Sequence, residues 1–248
     1  MLPLSYSGLA IYALVLVGAF AVRSAAGFGA VLVAVPLLAL VMPFPVAVSV
    51  ATALTLVTSI RYVSRDWRFI AWRQFAIMMA YTLIGVGFGF YFISMFDEHA
   101  LRRGLGIFLV TYSIYVLYTG GVPPALPVRW HGPLAAGTGI VGGLCSALFG
   151  GGAGPIYVIY FNILRLERDV FRATMTMVML VSASLRVGGY ADFGFYARPT
   201  LILLALGLPM IAVGSWLGTH LVRRLNPRLF GLGVTALVLM SGTVLLLK

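Results

Sequence analysis

The stretch Leu148-Phe-Gly-Gly-Gly-Ala-Gly-Pro155 stands between two strongly apolar runs and interrupts them. Four glycines and one proline in eight residues oppose helix continuation, because glycine loses much backbone freedom on ordering and proline has no amide proton to donate. The stretch therefore predicts a break between two apolar segments. What such a break means depends on whether the flanking segments lie in water or in lipid.

The composition of the chain answers that question. Of its 248 residues 61% are hydrophobic and only 9% are charged, whereas a soluble domain carries about 25% charged residues. The mean hydropathy is +1.04. The charges fall in short clusters and leave apolar stretches of about 15–22 residues, the length of a membrane-crossing helix. Because the period-two alternation of an outer-membrane barrel is absent, we predict an all-α polytopic membrane protein.

Ten apolar segments follow one another along the chain, five in each half. Two of them are too short to cross a bilayer at about 1.5 Å per residue, and each follows a glycine cluster. We therefore predict 8–10 transmembrane segments. The segments are 8–26, 28–42, 45–62, 72–93, 103–120, 132–149, 155–164, 170–188, 199–220 and 228–247, of which 28–42 and 155–164 are the short ones.

The basic residues predict the orientation. When the Arg61–Arg73 cluster is placed in the cytoplasm, twelve of the 17 basic residues fall on that side and five on the other, which predicts that both termini lie outside. The outer five are Arg102, Arg103, Arg186, Arg198 and Lys248, and the cytoplasmic set includes Arg223 and Arg224. The net charge of +11 thus fits membrane topology, and we expect no nucleic-acid partner because no basic-aromatic module is present.

The two halves resemble each other. Gly27-Phe-Gly-Ala30 aligns with Gly150-Gly-Gly-Ala153 at an offset of 123 residues, and Ser59 aligns with Ser182 at the same offset. Thr52 aligns with Thr174 at 122. An odd number of segments per half makes the second half inverted, and inverted repeats with paired broken helices are typical of secondary transporters. We predict one integral membrane domain built from repeats 1–122 and 123–248.

These motifs resemble the sulfite exporter TauE/SafE family of bacterial membrane permeases. The resemblance rests on Gly27-Phe-Gly-Ala-Val-Leu-Val-Ala-Val-Pro36 with Ala51-Thr52, and on Phe149-Gly-Gly-Gly-Ala-Gly-Pro155 with Phe171-Arg172-Ala-Thr174. The first motif departs from the family's Gly-x-Gly-Gly-Gly, since Ala30 and Val31 replace glycines. The resemblance implies a transporter of sulfur-containing anions, such as sulfite or organosulfonates, in the bacterial inner membrane.

An anion inside a bilayer needs hydrogen-bond donors and positive potential. Free amide groups at the starts of the short helices supply both, glycines allow close approach, and hydroxyl groups and guanidinium groups add further donors. The alternatives are helix packing for the glycines, local backbone bonds for the hydroxyls and interfacial charges for the arginines. The candidate substrate-binding residues are Gly27, Gly29, Gly150, Gly151, Gly152, Gly154, Thr52, Thr174, Ser182, Arg23, Arg172 and Arg186.

Several classes of protein are disfavoured. All six acidic residues are predicted in loops, so a proton relay or cation site within the spans is not expected. The three histidines and the single Cys145 show no metal-like spacing. The Gly150 cluster lacks the Lys-Ser/Thr of a phosphate-binding loop. We therefore expect no metal, no cofactor and no enzymatic activity.

The leading hypothesis is a secondary transporter, more specifically an exporter, that holds a small sulfur-containing anion between the two broken helices. A membrane potential that is negative inside favours anion export by about 2.3 kcal/mol per charge per 100 mV. The alternative hypothesis is a membrane scaffold or assembly subunit of a sulfur or redox complex, in which the glycines serve packing only. A homodimer is left open.

Overall fold

The computed structural model of the chain describes residues 6–120, 127–152, 154–220 and 226–247. Ala153 of the second motif, Arg223, Arg224, Lys248 and the predicted 122/123 boundary lie outside these residues. The described part is all-helical, with ten α-helices and two short 3₁₀ turns. The helices are α1 Tyr6–Ala26, α2 Ala30–Leu38, α3 Phe44–Asp66, α4 Trp72–Ile93, α5 Glu98–Thr119, α6 His131–Phe149, α7 Gly154–Ile163, α8 Arg168–Asp192, α9 Arg198–His220 and α10 Pro227–Leu247.

Eight of the helices in the described ranges are long and apolar enough to cross a membrane. The two exceptions are α2 with 9 residues and α7 with 10 residues, about half the length that a 30 Å hydrocarbon core requires. The predicted polytopic all-α fold with two short helices is therefore confirmed. The predicted segment limits differ mainly for α3, α5 and α8, which extend several residues beyond the apolar runs, and for α2, which is shorter than the predicted 28–42.

Glycines in left-handed backbone conformation end the first helix of each half. Gly27 and Gly29 have φ values of 88° and 95°, and Gly150 and Gly151 have φ values of 74° and 99°. For a residue with a side chain, this conformation is less favourable by about 1–2 kcal/mol of free energy. The glycine clusters therefore turn the chain at the two positions where a second, short helix begins.

The long helices pack in pairs that join the two halves. α1 packs on α9 and α4 on α6, while α3 packs on α8 and α5 on α10. Exchanging the halves turns the α1–α9 pair into the α6–α4 pair and leaves the other two pairs unchanged. Glycines allow the closest approaches, since a methyl group at Gly143 would overlap the carbonyl oxygen of Thr82 and one at Gly214 would lie 2.5 Å from that of Val17.

Several of the basic clusters share one end of the molecule. The backbone N–H of Ala71, between α3 and α4, donates to Oγ1 of Thr174 near the start of α8 at 2.9 Å. This bond brings the turn between Arg61 and Arg73 next to the segment 165–172, so we call this end the arginine-rich end. At the opposite end, Glu98 accepts from the N–H of Phe44 at 2.9 Å.

Four of the six acidic residues lie within helices, contrary to our prediction, and two lie in loops as predicted. Asp66, Glu98, Asp169 and Asp192 belong to the terminal turns of helices, and Asp97 and Glu167 are helix N-caps. The apolar runs on which the prediction was based end before the hydrogen-bonded helices do. No acidic residue lies in the middle of a described span, so the positions of the acidic residues still give no reason to expect a proton relay or cation site there.

Candidate functional site

Ser146 connects the second glycine break to a buried arginine. Its carbonyl oxygen accepts from the backbone N–H groups of Gly150 and Gly151, the latter at 2.8 Å, and these bonds close the end of α6. Its Oγ accepts a short hydrogen bond from Nη1 of Arg186 on α8. The backbone turn and the guanidinium are thus fixed relative to each other by one residue.

Arg186 is a buried cation without a counter-ion. Its side chain is 0% exposed, and none of the chain's six acidic side chains, all of which are described, forms an ion pair with it. Its Nε and Nη2 atoms have no hydrogen-bond partner among the described residues. Uncompensated buried charges are costly in proteins. This guanidinium therefore presents free donors in a region from which water is excluded.

Gly151 leaves the space in front of this guanidinium open. A methyl group at Gly151 would lie 2.7 Å from Nη2 of Arg186, closer than side-chain contacts allow. Because Gly151 also has a positive φ of 99°, any other residue would be strained there and would press on the arginine. The glycine thus combines a backbone turn with access to the free donors of Arg186.

Three tyrosines interact electrostatically with the Arg186 guanidinium, namely Tyr157, Tyr190 and Tyr196. The Tyr190 hydroxyl donates to the Ala147 carbonyl at 2.5 Å. Tyr196 lies in the turn before α9, where burial raises the pKa of its hydroxyl to about 12. The surroundings of Arg186 are therefore polar but uncharged, which leaves its positive charge uncompensated.

Thr52 holds the second break from the opposite half of the chain. Its hydroxyl lies 2.7 Å from the Val48 carbonyl and 3.0 Å from the Gly150 carbonyl and is shared between them. A methyl group at Gly150 would lie 2.8 Å from Cγ1 of Val48. The close fit between the break and α3 therefore requires glycine at this position.

The first break repeats part of this arrangement. The N–H of Gly27 donates to the Arg23 carbonyl at 2.7 Å, and Nη2 of Arg23 donates to Oγ of Ser59 at 2.6 Å. Arg23 is 2% exposed, and its Nε has no partner among the described residues. Position 27 packs against Arg172 of the other half, since a methyl group there would lie 3.3 Å from Cγ of Arg172.

The two breaks contact each other. The Phe28 ring lies beside Gly154, 3.6 Å from where a methyl group would be attached to that glycine. Phe28 also packs on a core cluster that contains Met175 and Met179 of α8. Both breaks therefore lie against α8, with an aromatic ring between them.

Other candidate residues have structural partners. Thr174 accepts the Ala71 N–H, and the Ser182 hydroxyl donates within its own helix to Met179 at 3.4 Å. Gly29 is the N-cap of α2. A methyl group at Gly152 would have only Phe149 nearby, at 3.9 Å, so this glycine is not needed for packing.

Several buried hydroxyls of α3 also bond to carbonyl groups of their own helix. Ser49, Thr52 and Ser59 are 0% exposed. They lie within hydrogen-bonding distance of the Pro45, Val48 and Thr55 carbonyls respectively. Ser59 and Thr52 have a second partner each, so these two join the breaks to α3.

Sequence reasoning missed Ser146, which accepts hydrogen bonds from Gly150, Gly151 and Arg186 at the second break. A signal was present, because Ser146 lies 123 residues after Arg23, at the repeat offset of the glycine motifs. The equivalent residues therefore differ in type, because Arg23 is the arginine of the first arginine–serine pair and Ser146 is the serine of the second. Identity matching between the halves cannot detect such an exchange.

Short helices inside an eight-span bundle, with buried cations at their breaks, are the features of a membrane transporter. The model of the family described as Sulfite exporter TauE/SafE matches residues 11–245. The chain therefore belongs to this family of membrane transporters. No curated protein and no solved structure matches the chain significantly.

Proposed function

We propose that the chain is a secondary transporter that exports a small sulfur-containing anion, such as sulfite or an organosulfonate, across the bacterial inner membrane. The observation that carries the proposal is the fully buried Arg186, whose Nε and Nη2 lack partners among the described residues. An oxyanion offers two acceptor oxygens in the geometry that a guanidinium fork matches. The missing counter-ion is then the substrate itself.

The glycine break completes this binding site. Gly150 and Gly151 place a left-handed turn beside the guanidinium, where an anion meets no side chain. Ser146 orients the guanidinium through Nη1 and leaves the other two nitrogen positions for the ligand. Broken backbone at membrane depth is tolerated where it lines a cavity, which agrees with a substrate site at this position.

The membrane orientation belongs to the same proposal. The arginine-rich end is cytoplasmic and both termini are outside, because basic residues concentrate on the cytoplasmic side. The two five-helix halves form an inverted repeat, which the symmetric helix pairing supports. Export then follows the membrane potential, at about 2.3 kcal/mol per charge per 100 mV.

The proposal is tested by radiolabelled sulfite flux in proteoliposomes that contain the wild type or Gly151→Ala. The new methyl group would lie 2.7 Å from Nη2 of Arg186, and the left-handed conformation alone costs about 1–2 kcal/mol. Because the displaced guanidinium would lose a hydrogen bond to the anion worth about 1.5–3 kcal/mol, and 1.4 kcal/mol corresponds to a factor of ten, we expect flux to fall at least about tenfold.

The matched control is Gly188→Ala on α8, where a methyl group meets nothing within 4 Å. This variant should transport like the wild type. Equal flux from correctly inserted Gly151→Ala and Gly188→Ala would reject the site at the second break. A wild type that gives no flux with sulfite or any organosulfonate would reject the substrate class.

A further inference from the structure

The first glycine break has a charged crevice of its own. Arg23, Gly27, Tyr62, Asp66 and Arg172 line it. Arg23 is 2% exposed and its Nε atom lacks a partner among the described residues, as does the buried Nε of Arg172. The Arg23 guanidinium carbon lies 6.0 Å from the Tyr62 ring centre. Two cations with free donors thus converge at this break.

This crevice is separate from the Arg186 site. Arg172 and Arg186 stand fourteen residues apart on α8, from 172 to 186, which corresponds to about 21 Å along the helix axis. On α3, Ser59 binds Arg23 while Thr52 contacts the second break. These two are seven residues apart, or about 10 Å. The Arg23 and Arg186 guanidinium groups are therefore held at different levels of α3 and α8.

The same serine–arginine arrangement occurs at each break with the residue types exchanged. In the first half the arginine is on the helix before the break and its serine is Ser59 on α3. In the second half the serine precedes the break and the arginine is Arg186 on α8. Arg186 lies one helical turn after Ser182, the repeat equivalent of Ser59. Each break therefore holds one guanidinium that is fixed by one serine.

We propose that the chain has two successive anion-binding stations for its substrate, the first formed by Arg23 and Arg172 at the Gly27 break and the second by Arg186 at the Gly151 break. The inference rests on the proposed function and specifies it. The first station faces the arginine-rich end, so it receives the anion from that side. The second station lies deeper, where the side chain of Arg186 is completely buried.

The charges around the first station fit a site of capture. Asp66 is the acidic residue that lines the crevice, and it forms an ion pair with the exposed Arg65 at 3.7 Å. The crevice has a volume of about 10 Å³, about the space of one water molecule. Binding of an oxyanion therefore requires the crevice to widen. The nearby arginines raise the local anion concentration and so increase the rate of capture.

Equilibrium binding of radiolabelled sulfite to the purified full chain tests the two stations. We expect two equivalents per wild-type chain, one in Arg23→Gln, one in Arg186→Met and none in the double variant. The control Arg103→Gln changes an exposed arginine of α5 and should retain two. One equivalent in the wild type, or loss of all binding in either single variant, would overturn the two-station proposal.

A second variant covers the case in which Arg23→Gln does not fold. Arg172→Gln changes a half-buried side chain at the same crevice and should weaken one of the two equivalents at least tenfold. If that variant still bound two equivalents of sulfite with wild-type affinity, the first station would be overturned. Sulfite flux in proteoliposomes separates the two proposals, because a wild type that transports sulfite with one equivalent retains the proposed function and contradicts the second station.

Discussion

Replacing Arg186 by methionine should stabilise the protein when no anion is present. The charge of a buried arginine is ordinarily compensated by an ion pair, but Arg186 has a serine as its partner and no carboxylate. Burial of one unpaired ion costs several kcal/mol, and a hydrogen bond from a charged group returns about 1.5–3 kcal/mol. Ser146 can redirect its hydroxyl to its own helix after the change.

The net expectation for Arg186→Met is a gain of about 2 kcal/mol, or about 4–8 °C in melting temperature for a chain of this size. With sulfite present, the wild type should have a higher melting temperature than Arg186→Met. At a concentration of 100 times the Kd of the Arg186 site, the wild type gains about 2.7 kcal/mol from that site, which the variant cannot gain. Intrinsic tryptophan fluorescence during heating, with and without sulfite, measures both effects.

The opposite pattern would refute this reasoning. If Arg186 served only the structure, Arg186→Met would melt well below the wild type, and sulfite would raise the melting temperature of both proteins equally. The control is Arg103→Gln, which alters an exposed charge on α5. It should match the wild type in melting temperature and in its response to sulfite.

Two further predictions concern packing and capping. Gly85→Ala should destabilise the protein by about 2–4 kcal/mol, because its methyl group would overlap the Ile140 carbonyl between α4 and α6; Gly87→Ala on the same helix meets nothing within 4 Å and should melt like the wild type. Asp97→Ala should lower stability by about 1 kcal/mol, because the Asp97 carboxylate accepts from the Ala100 N–H at 2.7 Å as the N-cap of α5. Equal melting temperatures for Gly85→Ala and Gly87→Ala would contradict the packing assignment. A wild-type melting temperature for Asp97→Ala would contradict the capping assignment.

Much of the fold could be predicted because lipid restricts the choices. Apolar length and charge clusters locate the spanning helices, since a chain in hydrocarbon must satisfy its backbone internally. The glycines at 27, 29, 150 and 151 all adopt positive φ, as expected where a helix has to end abruptly. Helix limits were less accurate because polar residues extend α3 and α8 beyond their apolar runs.

The candidate site was harder to predict, because it depends on contacts between distant parts of the chain. Arg23 and Arg186 resemble interfacial charges in the sequence, yet they are 2% and 0% exposed. Their serine partners lie 36 and 40 residues away. Thr174 matched the family pattern but binds the backbone of Ala71. Spacing along one helix cannot distinguish these cases, whereas tertiary packing does.

The symmetry of the halves gives a signal that sequence identity overlooks. Arg23 and Ser146 occupy equivalent positions, and their carbonyl oxygens accept from the equivalent glycines Gly27 and Gly150. Their side chains differ in type but each belongs to an arginine–serine pair. Comparing the halves by pairing partners, in addition to residue identity, would have identified Ser146 as a site residue.

Sulfite efflux from proteoliposomes under an inside-negative potential, compared between the wild type and Arg186→Met at equal insertion, tests the central claim most directly. The buried guanidinium supplies the positive charge that the anion needs at the second break. We predict rapid, potential-dependent efflux for the wild type and efflux at the level of protein-free liposomes for the variant. Wild-type efflux from correctly folded Arg186→Met would contradict the account.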